Sequence, residues 1–310
     1  MYQLIIIGGG PAGVSAGVYA ARKKMKTLLI AEEFGGQSSV SDDIENWIGV
    51  QNVSGYDLSK MMEDHLRKYE GDIDIKDGEK VLRVEKIKEN HYKVITAGGE
   101  EFETERILLT AGSHRRRVDV PGGEEFDGKG VAYCATCDAP LFKGKETAVI
   151  GGGNSGLEAV IDLLEYASKI YLLHRRDTLK GDPATQEKIK ASDKVEIIYN
   201  AEIKEIFGDK FVKGLKYVDI PSGEEKTLDV EGIFVEIGSI PNSHLVEGLV
   251  DINNWKKVVV NHKTQRTSDP GIWAAGDVSD VYYNQNNVSA GDGIKAVLNI
   301  HDDITGQKRE

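Results

Sequence analysis

Two stretches with the same glycine pattern constrain this chain more than any other feature. Each has a short apolar run followed by G-x-G-x-x-G: Gly8, Gly10 and Gly13 follow Gln3 to Ile7, and Gly151, Gly153 and Gly156 follow "TAVI". In this pattern the first glycine allows a tight turn and the second lets the backbone approach a pyrophosphate. The third lets the helix pack closely on the strand. We call these stretches the first and second glycine turns, and they predict two dinucleotide sites.

The order of segments around both turns predicts the fold class. A helix from Ala12 to Arg22 and a strand in "KTLLIA" follow the first turn, and "LEAVIDLLEYA" and "KIYLLHRRD" repeat this order after the second. Residues 80–110 and 195–237 alternate β-branched and charged residues, which predicts antiparallel strands. We therefore predict an α/β protein with two Rossmann-like three-layer nucleotide-binding domains, the second inserted into the first. The predicted domains are 1–115 with 245–310, which binds FAD, and 116–244, which binds NADPH.

Composition excludes several classes of function. The formal net charge of −12 over 310 residues disfavours nucleic acid as the main partner. No apolar run is long enough to span a bilayer, and no signal peptide is expected, so the predicted location is the cytoplasm. Two cysteines cannot build a disulfide framework.

The surroundings of the first glycine turn favour FAD. Glu32 or Glu33, at the end of the second strand, is the acid expected to bind a ribose hydroxyl. Near the C-terminus an apolar strand ends at Gly276–Asp277, and a helix is predicted to open at Ser289 to Gly291. The positive end of such a helix would stabilise negative charge on a reduced isoalloxazine ring. The alternative is an ordinary strand, turn and helix with a capping aspartate.

The second glycine turn is followed by basic residues instead of an acid. His174, Arg175 and Arg176 end the second strand, and Lys180 adds a further charge. Arginine can form a bidentate pair of hydrogen bonds with a ribose 2′-phosphate, which favours NADPH. The alternative is a solvated basic face after a strand.

Both cysteines of the chain, Cys134 and Cys137, lie in one C-x-x-C. The spacing allows half a zinc site, a redox dithiol or a coincidence; no second ligand pair completes a zinc site, so no metal is predicted. A local turn or helix would bring both sulfurs close enough to bridge, between two nucleotide sites. Asp138 could exchange a proton with the leaving thiol, or it could simply stabilise a helix start.

Together these motifs resemble the low-molecular-weight thioredoxin reductases, from "IIIGGGPAG" through "FGGQ", "IENWIG", "CATCD", "GGGNSG" and "HRRD" to "AAGDV" and "SAGDG". The resemblance implies FAD on the first domain, NADPH on the inserted domain, and a homodimer whose inserted domain rotates. It implies that Cys137 faces the flavin, that Cys134 attacks the disulfide of a thioredoxin-like partner, and that Asp138 is the acid/base. The full predicted cofactor-binding set is Gly8, Gly10, Pro11, Ala12, Gly13, Glu32, Glu33, Gly36, Gln37, Asn46, Gly112, Gly151, Gly153, Asn154, Ser155, Gly156, His174, Arg175, Arg176, Lys180, Gly276, Asp277, Gln285, Ser289 and Ala290.

The sequence also departs from that family. Ala139 replaces a glycine after "CATCD", "LTAG" replaces "ATG" at 109–112, and Asn284 precedes Gln285 where a basic residue is usual. "DAPLFKGK", "DLLEYA" and "FVEIGSIPN" are similar to the reductase subunit of the alkyl-hydroperoxide system. That subunit carries an extra N-terminal domain and prefers NADH. The alternative function is therefore an NADH-dependent reductase of a peroxiredoxin or glutaredoxin-like carrier. A flavoprotein redox sensor without sustained turnover is a third hypothesis.

Overall fold

The structure is a computed structural model that describes residues 1–40 and 44–307, without the side chains of Val40, Thr136 and Cys137. The chain forms two compact units: unit 1 is Met1–His114 with Ile240–Glu310, and unit 2 is Arg115–Ser239. The sequence-based division placed the second boundary after residue 244, whereas the units meet at Ser239 and Ile240. In the described ranges, no helix has the length and apolar character that crossing a membrane requires.

Unit 1 has three layers, with elements numbered along the whole chain. The central parallel sheet has the order β18-β7-β1-β2-β3. Its strands are β1 (Leu4–Gly9), β2 (Thr27–Phe34), β3 (Asp74–Asp77), β7 (Ile107–Leu109) and β18 (Ile272–Ala274). One face is covered by α1 (Pro11–Arg22), α2 (Gly55–Arg67) and α6 (Asn286–Thr305), and the other by the antiparallel strands β4 (Val81–Lys88), β5 (His91–Thr96) and β6 (Glu101–Thr104).

The alternation of side chains along β1 explains these layers. Leu4 and Ile6 are fully buried in the core shared with the helices, while Ile5 and Ile7 are buried in the core shared with the antiparallel sheet. A strand whose two faces are both covered reads as a continuous apolar run. Short 3-10 helices at Gly36–Val40 and Ser243–Val246 complete the regular structure of this unit.

Unit 2 repeats the arrangement. Its parallel sheet has the order β12-β11-β10-β16-β9. These strands are β9 (Val131–Ala132), β10 (Glu146–Ile150), β11 (Lys169–Leu173), β12 (Val195–Ile198) and β16 (Gly232–Val235). The helices are α3 (Ala135–Asp138), α4 (Asn154–Leu164) and α5 (Pro183–Lys190), with a 3-10 helix at Ala139–Phe142. The opposite face carries β13 (Ala201–Gly208), β14 (Val212–Asp219) and β15 (Glu224–Asp229). The chain passes between the units in β8 (Ser113–Arg115) and β17 (Ser239–Pro241).

The predicted fold class is confirmed, and two local predictions are wrong. Within the ranges predicted as antiparallel, β7, β12 and β16 instead join the parallel sheets. Each is only three or four residues long, and β7 and β16 are buried throughout, so they carry no alternation to follow. The C-terminal helix begins at Asn286 instead of at Ser289 to Gly291, because Gln285 is its N-cap residue.

Candidate functional site

The three glycines of the first glycine turn have three different surroundings. Gly8 has φ +120°, and a Cβ there would lie 2.4 Å from the Thr110 carbonyl oxygen. A Cβ on Gly13 would lie 1.8 Å from the Gly8 carbonyl oxygen, so helix and turn are in contact. A Cβ on Gly10 would meet no protein atom within 4 Å, and its backbone is extended. Gly8 and Gly13 are therefore required by the fold, while Gly10 borders open space.

That open space is a cleft of about 520 Å³ within unit 1. It runs from the first glycine turn past the ends of β2 and β7 to the start of α6. The first N–H groups of α1 have no partners within the helix and open to an anionic ligand here. The predicted residues that line the cleft are Gly8, Gly10, Pro11, Ala12, Glu32, Glu33, Gly36, Gln37, Gly112, Gly276, Asp277, Gln285 and Ser289. We call this space the first cleft.

Three predicted residues of this set lie outside the cleft lining. Gly13 packs against Gly8, and the Ala290 carbonyl accepts a hydrogen bond from Ser15 Oγ (2.9 Å). Asn46 acts through a neighbour: its Nδ2 donates to Gln285 Oε1 (3.2 Å), and Gln285 lines the cleft. Asn46 thus fixes the orientation of a cleft residue.

Sequence reasoning missed several residues that line the first cleft. Lys80 lies at the edge of the antiparallel sheet, and its Nζ is 3.2 Å from Glu32 Oε2. Asn242 bridges Ala111 O (2.7 Å) and His114 Nδ1 (2.7 Å). The "PN" of "FVEIGSIPN" is a signal for Asn242, but Lys80 reaches the cleft only because the antiparallel sheet packs against β2, which is distant in sequence.

The α6 end of the first cleft carries a half-buried carboxylate, Asp277. Burial raises the pKa of Asp277, while the nearby charge of Lys257 and a hydrogen bond from Ser289 Oγ (3.4 Å) oppose this. Lys257 Nζ also donates to Asn284 Oδ1 (3.2 Å), so a cation lies beside the position where the family usually has a basic residue. Although Asn284 replaces the usual basic residue, Lys257 therefore keeps a positive charge in this region.

These observations fit a dinucleotide such as FAD in the first cleft. The turn presents backbone without a side chain at Gly10, the helix offers free N–H groups, and Glu32 and Glu33 are exposed carboxylates near the end of β2. A carboxylate at that strand end is placed to accept hydrogen bonds from an adenosine ribose.

The second glycine turn reproduces the first closely. Gly151 has φ +130°, and a Cβ there would lie 2.1 Å from the Glu236 carbonyl oxygen. A Cβ on Gly156 would lie 1.9 Å from the Gly151 carbonyl oxygen, and one on Gly153 would meet nothing within 4 Å. Asn154 and Ser155 open α4, and Asn154 Oδ1 accepts a hydrogen bond from the Asp182 N–H (2.7 Å). Unit 2 thus offers its own dinucleotide cradle.

Basic residues lie beside this turn, at the end of β11. Arg175, Arg176 and Lys180 are exposed, and the Lys180 N–H donates to the Gly152 carbonyl (2.7 Å). His174 differs from them because it is 9% exposed, and a Cβ on Gly152 would lie 2.7 Å from its Cγ. Burial lowers the pKa of His174, a backbone hydrogen bond with Thr178 opposes this, and the charges of Arg176, Arg175 and Lys180 lower it further. His174 therefore packs under the turn with its pKa lowered, whereas Arg175, Arg176 and Lys180 are exposed to solvent beside it.

The C-x-x-C lies at the start of a short helix. Cys134 is half-buried and directly precedes α3, and the Asp138 N–H donates to the Cys134 carbonyl (3.1 Å). Asp138 is also half-buried; the side chain of Cys137 lies outside the described residues. Ala139 is 1% exposed and has no left-handed backbone, so this position does not need glycine. The helix α3 packs against α4, which places the C-x-x-C and the second glycine turn on neighbouring helices.

Comparison with known proteins finds one matching family and several relatives with different names. The family described as pyridine nucleotide-disulphide oxidoreductase matches residues 2–293. A Bacillus subtilis (strain 168) protein named NADH dehydrogenase is 42% identical over 301 residues, covering 97% of this chain and 58% of that protein. A component of the alkyl hydroperoxide reductase of Pseudomonas putida is 40% identical over 305 residues, covering 98% and 58%. The chain thus spans less than two thirds of these curated relatives.

Solved structures match over almost their whole length. Lactococcus lactis thioredoxin reductase (FR conformation) has a TM-score of 0.87 and 32% identity, covering 99% of this chain and 100% of that chain. T. acidophilum thioredoxin reductase has a TM-score of 0.84 and 34% identity, covering 98% and 99%.

Proposed function

Because the chain belongs to the pyridine nucleotide-disulphide oxidoreductase family, we propose that it is an NADPH-dependent thioredoxin-disulfide reductase. The reaction consumes NADPH, a proton and the disulfide of a small thioredoxin-like protein, and yields NADP⁺ and two thiols. Two electrons leave the nicotinamide and two enter the disulfide, so the reaction is balanced. We also propose that the protein acts in the cytoplasm and forms a homodimer. Sedimentation of the purified protein tests the dimer, and finding only monomers would contradict it.

One observation carries this proposal: two glycine turns of the same geometry, each with an open second glycine, lie in separate units. One turn is followed by the carboxylates Glu32 and Glu33, and the other by Arg175 and Arg176. An acid suits an unphosphorylated ribose and an arginine suits a 2′-phosphate. A protein with both kinds of site can hold FAD and NADPH at once.

The residues around the C-x-x-C have separate roles in this proposal. FAD, when bound, supplies the step between hydride transfer and disulfide chemistry. Cys134, directly ahead of α3, attacks the partner's disulfide, and Cys137 resolves the mixed disulfide that results. Asp138 gives a proton to the departing thiolate and is reprotonated by a proton from solution, the proton that the overall reaction consumes.

A second candidate uses the same chemistry with another donor and acceptor. The relatives named NADH dehydrogenase and alkyl hydroperoxide reductase favour NADH and a peroxiredoxin or glutaredoxin-like carrier. Arg175 and Arg176 favour NADPH, which ranks this candidate second.

The test measures turnover with NADPH and NADH against thioredoxin, glutaredoxin-like and peroxiredoxin substrates. We expect wild-type activity to be highest with NADPH and a thioredoxin. Cys134→Ser and Cys137→Ser should each abolish it, while NADPH still bleaches the flavin, since no other cysteine can relay electrons. Ser222→Ala, in an exposed turn of unit 2, is the control and should retain full activity. Disulfide reduction by either cysteine variant would contradict the proposal.

A further inference from the structure

Glu236 is a buried carboxylate that the proposed function does not use. It directly follows β16, and its side chain is 9% exposed. Arg115 Nη1 donates to Glu236 Oε1 at 2.9 Å, and both residues belong to unit 2. A carboxylate is rarely buried to this degree unless it is paired, and buried ionisable groups are enriched at functional sites.

Its position in the sheet is that of a ligand site. From β10 the chain moves through α4 to β11 and β12 on one side, while β16 lies on the other side of β10. The gap between the ends of β10 and β16 is thus the switch point, where open α/β sheets bind their ligands. The Glu236 N–H donates to Ile150 O (2.8 Å), and the Glu236 carbonyl touches Gly151. Glu236 therefore leaves its strand directly beside the second glycine turn.

The direction in which a coenzyme lies across the strands determines which half of it is near Glu236. A pyrophosphate on the start of α4 has the exposed Arg175 and Arg176 on its β11 side. Those arginines bind the adenosine half in the proposed function. The nicotinamide half must then extend to the opposite side of β10, over the end of β16.

Among the side chains that the structure describes, Arg115 is the one that donates a hydrogen bond to the Glu236 carboxylate. The pKa of Glu236 is raised to about 7, chiefly by burial and also by the charges of Glu158 and Asp162 on α4, while Arg115 lowers it. A donor added by a ligand would stabilise the ionised form, because hydrogen bonds to a carboxylate lower its pKa.

We propose that Glu236 binds the nicotinamide half of the pyridine nucleotide by accepting a hydrogen bond from the ribose hydroxyls or the carboxamide. This inference rests on the proposed function, because it needs unit 2 to bind a pyridine nucleotide. The Arg115 ion pair holds the carboxylate at the end of β16, which makes Arg115 a positioning residue.

The test compares ligands that contain or lack the nicotinamide half. Dissociation constants of NADP⁺ and of 2′,5′-ADP are measured by calorimetry on the flavin-loaded protein, so that no turnover is required. Glu236→Ala should weaken NADP⁺ by about tenfold or more, as expected for a hydrogen bond to a charged group, and leave 2′,5′-ADP unchanged. The 2′-phosphate of ADP-ribose, which keeps the second ribose, separates a ribose contact from a carboxamide contact. Glu196→Gln, in an exposed pair with Lys169, is the control and should bind both ligands like the wild type.

A second variant keeps the test valid if Glu236→Ala does not fold, and it allows a measurement of pH dependence. Glu236→Gln keeps the shape and an acceptor for Arg115. In the wild type, the ratio of NADP⁺ affinity to 2′,5′-ADP affinity should rise with pH through about 7, where Glu236 ionises. In Glu236→Gln the ratio should not change with pH. If Glu236→Ala weakens the binding of NADP⁺ and 2′,5′-ADP equally, or weakens neither, the inference about Glu236 is wrong. The proposed function would be unaffected by that result. Failure of the wild type to bind NADP⁺ or NAD⁺ would overturn the proposed function as well.

Discussion

At the scale of single residues, the geometry separates glycines that the fold requires from glycines that a ligand requires. Gly13 and Gly156 each have a backbone carbonyl within 2 Å of where a Cβ would lie, whereas Gly10 and Gly153 have open space. Both open glycines have ordinary extended backbone, with φ −75° and −93°, which alanine adopts without strain. The same sequence motif therefore combines two kinds of constraint.

This separation predicts opposite results for two alanine variants of the first glycine turn. Gly10→Ala should leave thermal unfolding nearly unchanged but lower FAD affinity, because its methyl group enters the space of the pyrophosphate. Gly13→Ala should destabilise the protein by about 1–3 kcal/mol or more, because the methyl group collides with Gly8. Calorimetric unfolding and the flavin content of purified protein check both. A Gly10→Ala protein that retains full FAD content would contradict the assignment of the first cleft.

Glu236 also predicts a pH dependence of stability. Its pKa is about 7 in the folded protein against 4.5 normally, so the folded state binds more protons than the unfolded state in this interval. Stability contributed by the protonated form is present below about pH 4.5 and is lost as pH rises through about 7. Glu236→Gln should remove this loss and gain up to about 3 kcal/mol over the wild type at pH 8 relative to pH 5. Urea unfolding at both pH values measures this difference. An equal change in the free energy of unfolding between pH 5 and pH 8 for the two proteins would refute the prediction.

At the scale of elements, the segment after β11 decides which coenzyme is preferred. Arg175→Ala with Arg176→Ala removes exposed cations and should raise the KM for NADPH by about tenfold or more, because charge-assisted contacts to a phosphate are lost. The KM for NADH should hardly change. Lys188→Ala with Lys190→Ala removes the same charge from the end of α5 and should change neither KM. A wild type that already prefers NADH would favour the second candidate function.

The strands and helices also show how much of the fold can be predicted from the sequence. The strands and helices beside both glycine turns were predicted because long apolar runs and turn residues mark them locally. β7, β12 and β16 were placed in the wrong kind of sheet, since three or four residues hold no periodicity and their partners are distant in sequence. Lys80 and Glu236 were missed for a similar reason: Lys80 reaches its site only through the packing of one sheet on another, and Glu236 only through the pairing of β16 with β10.

At the scale of the whole molecule, unit 2 is an insertion with its own core. Its two chain ends lie side by side, because the Arg116 N–H donates to the Gly238 carbonyl at 2.8 Å. Residues 115–239 expressed alone should therefore unfold cooperatively and bind NADP⁺ but no FAD. Calorimetry checks both properties. A disordered fragment, or one that binds FAD, would contradict the assignment of one nucleotide to each unit.

Above all, we propose that electrons pass from a pyridine nucleotide through FAD to the Cys134/Cys137 pair. Anaerobic titration with NADPH, followed by flavin absorbance, tests this most directly. A flavin and a disulfide each accept two electrons, so the wild type should consume about two equivalents of NADPH per FAD before excess NADPH accumulates. Cys134→Ser should consume about one and bleach fully. Equal consumption by the two proteins would contradict the proposal, because the cysteine pair would then hold no electrons.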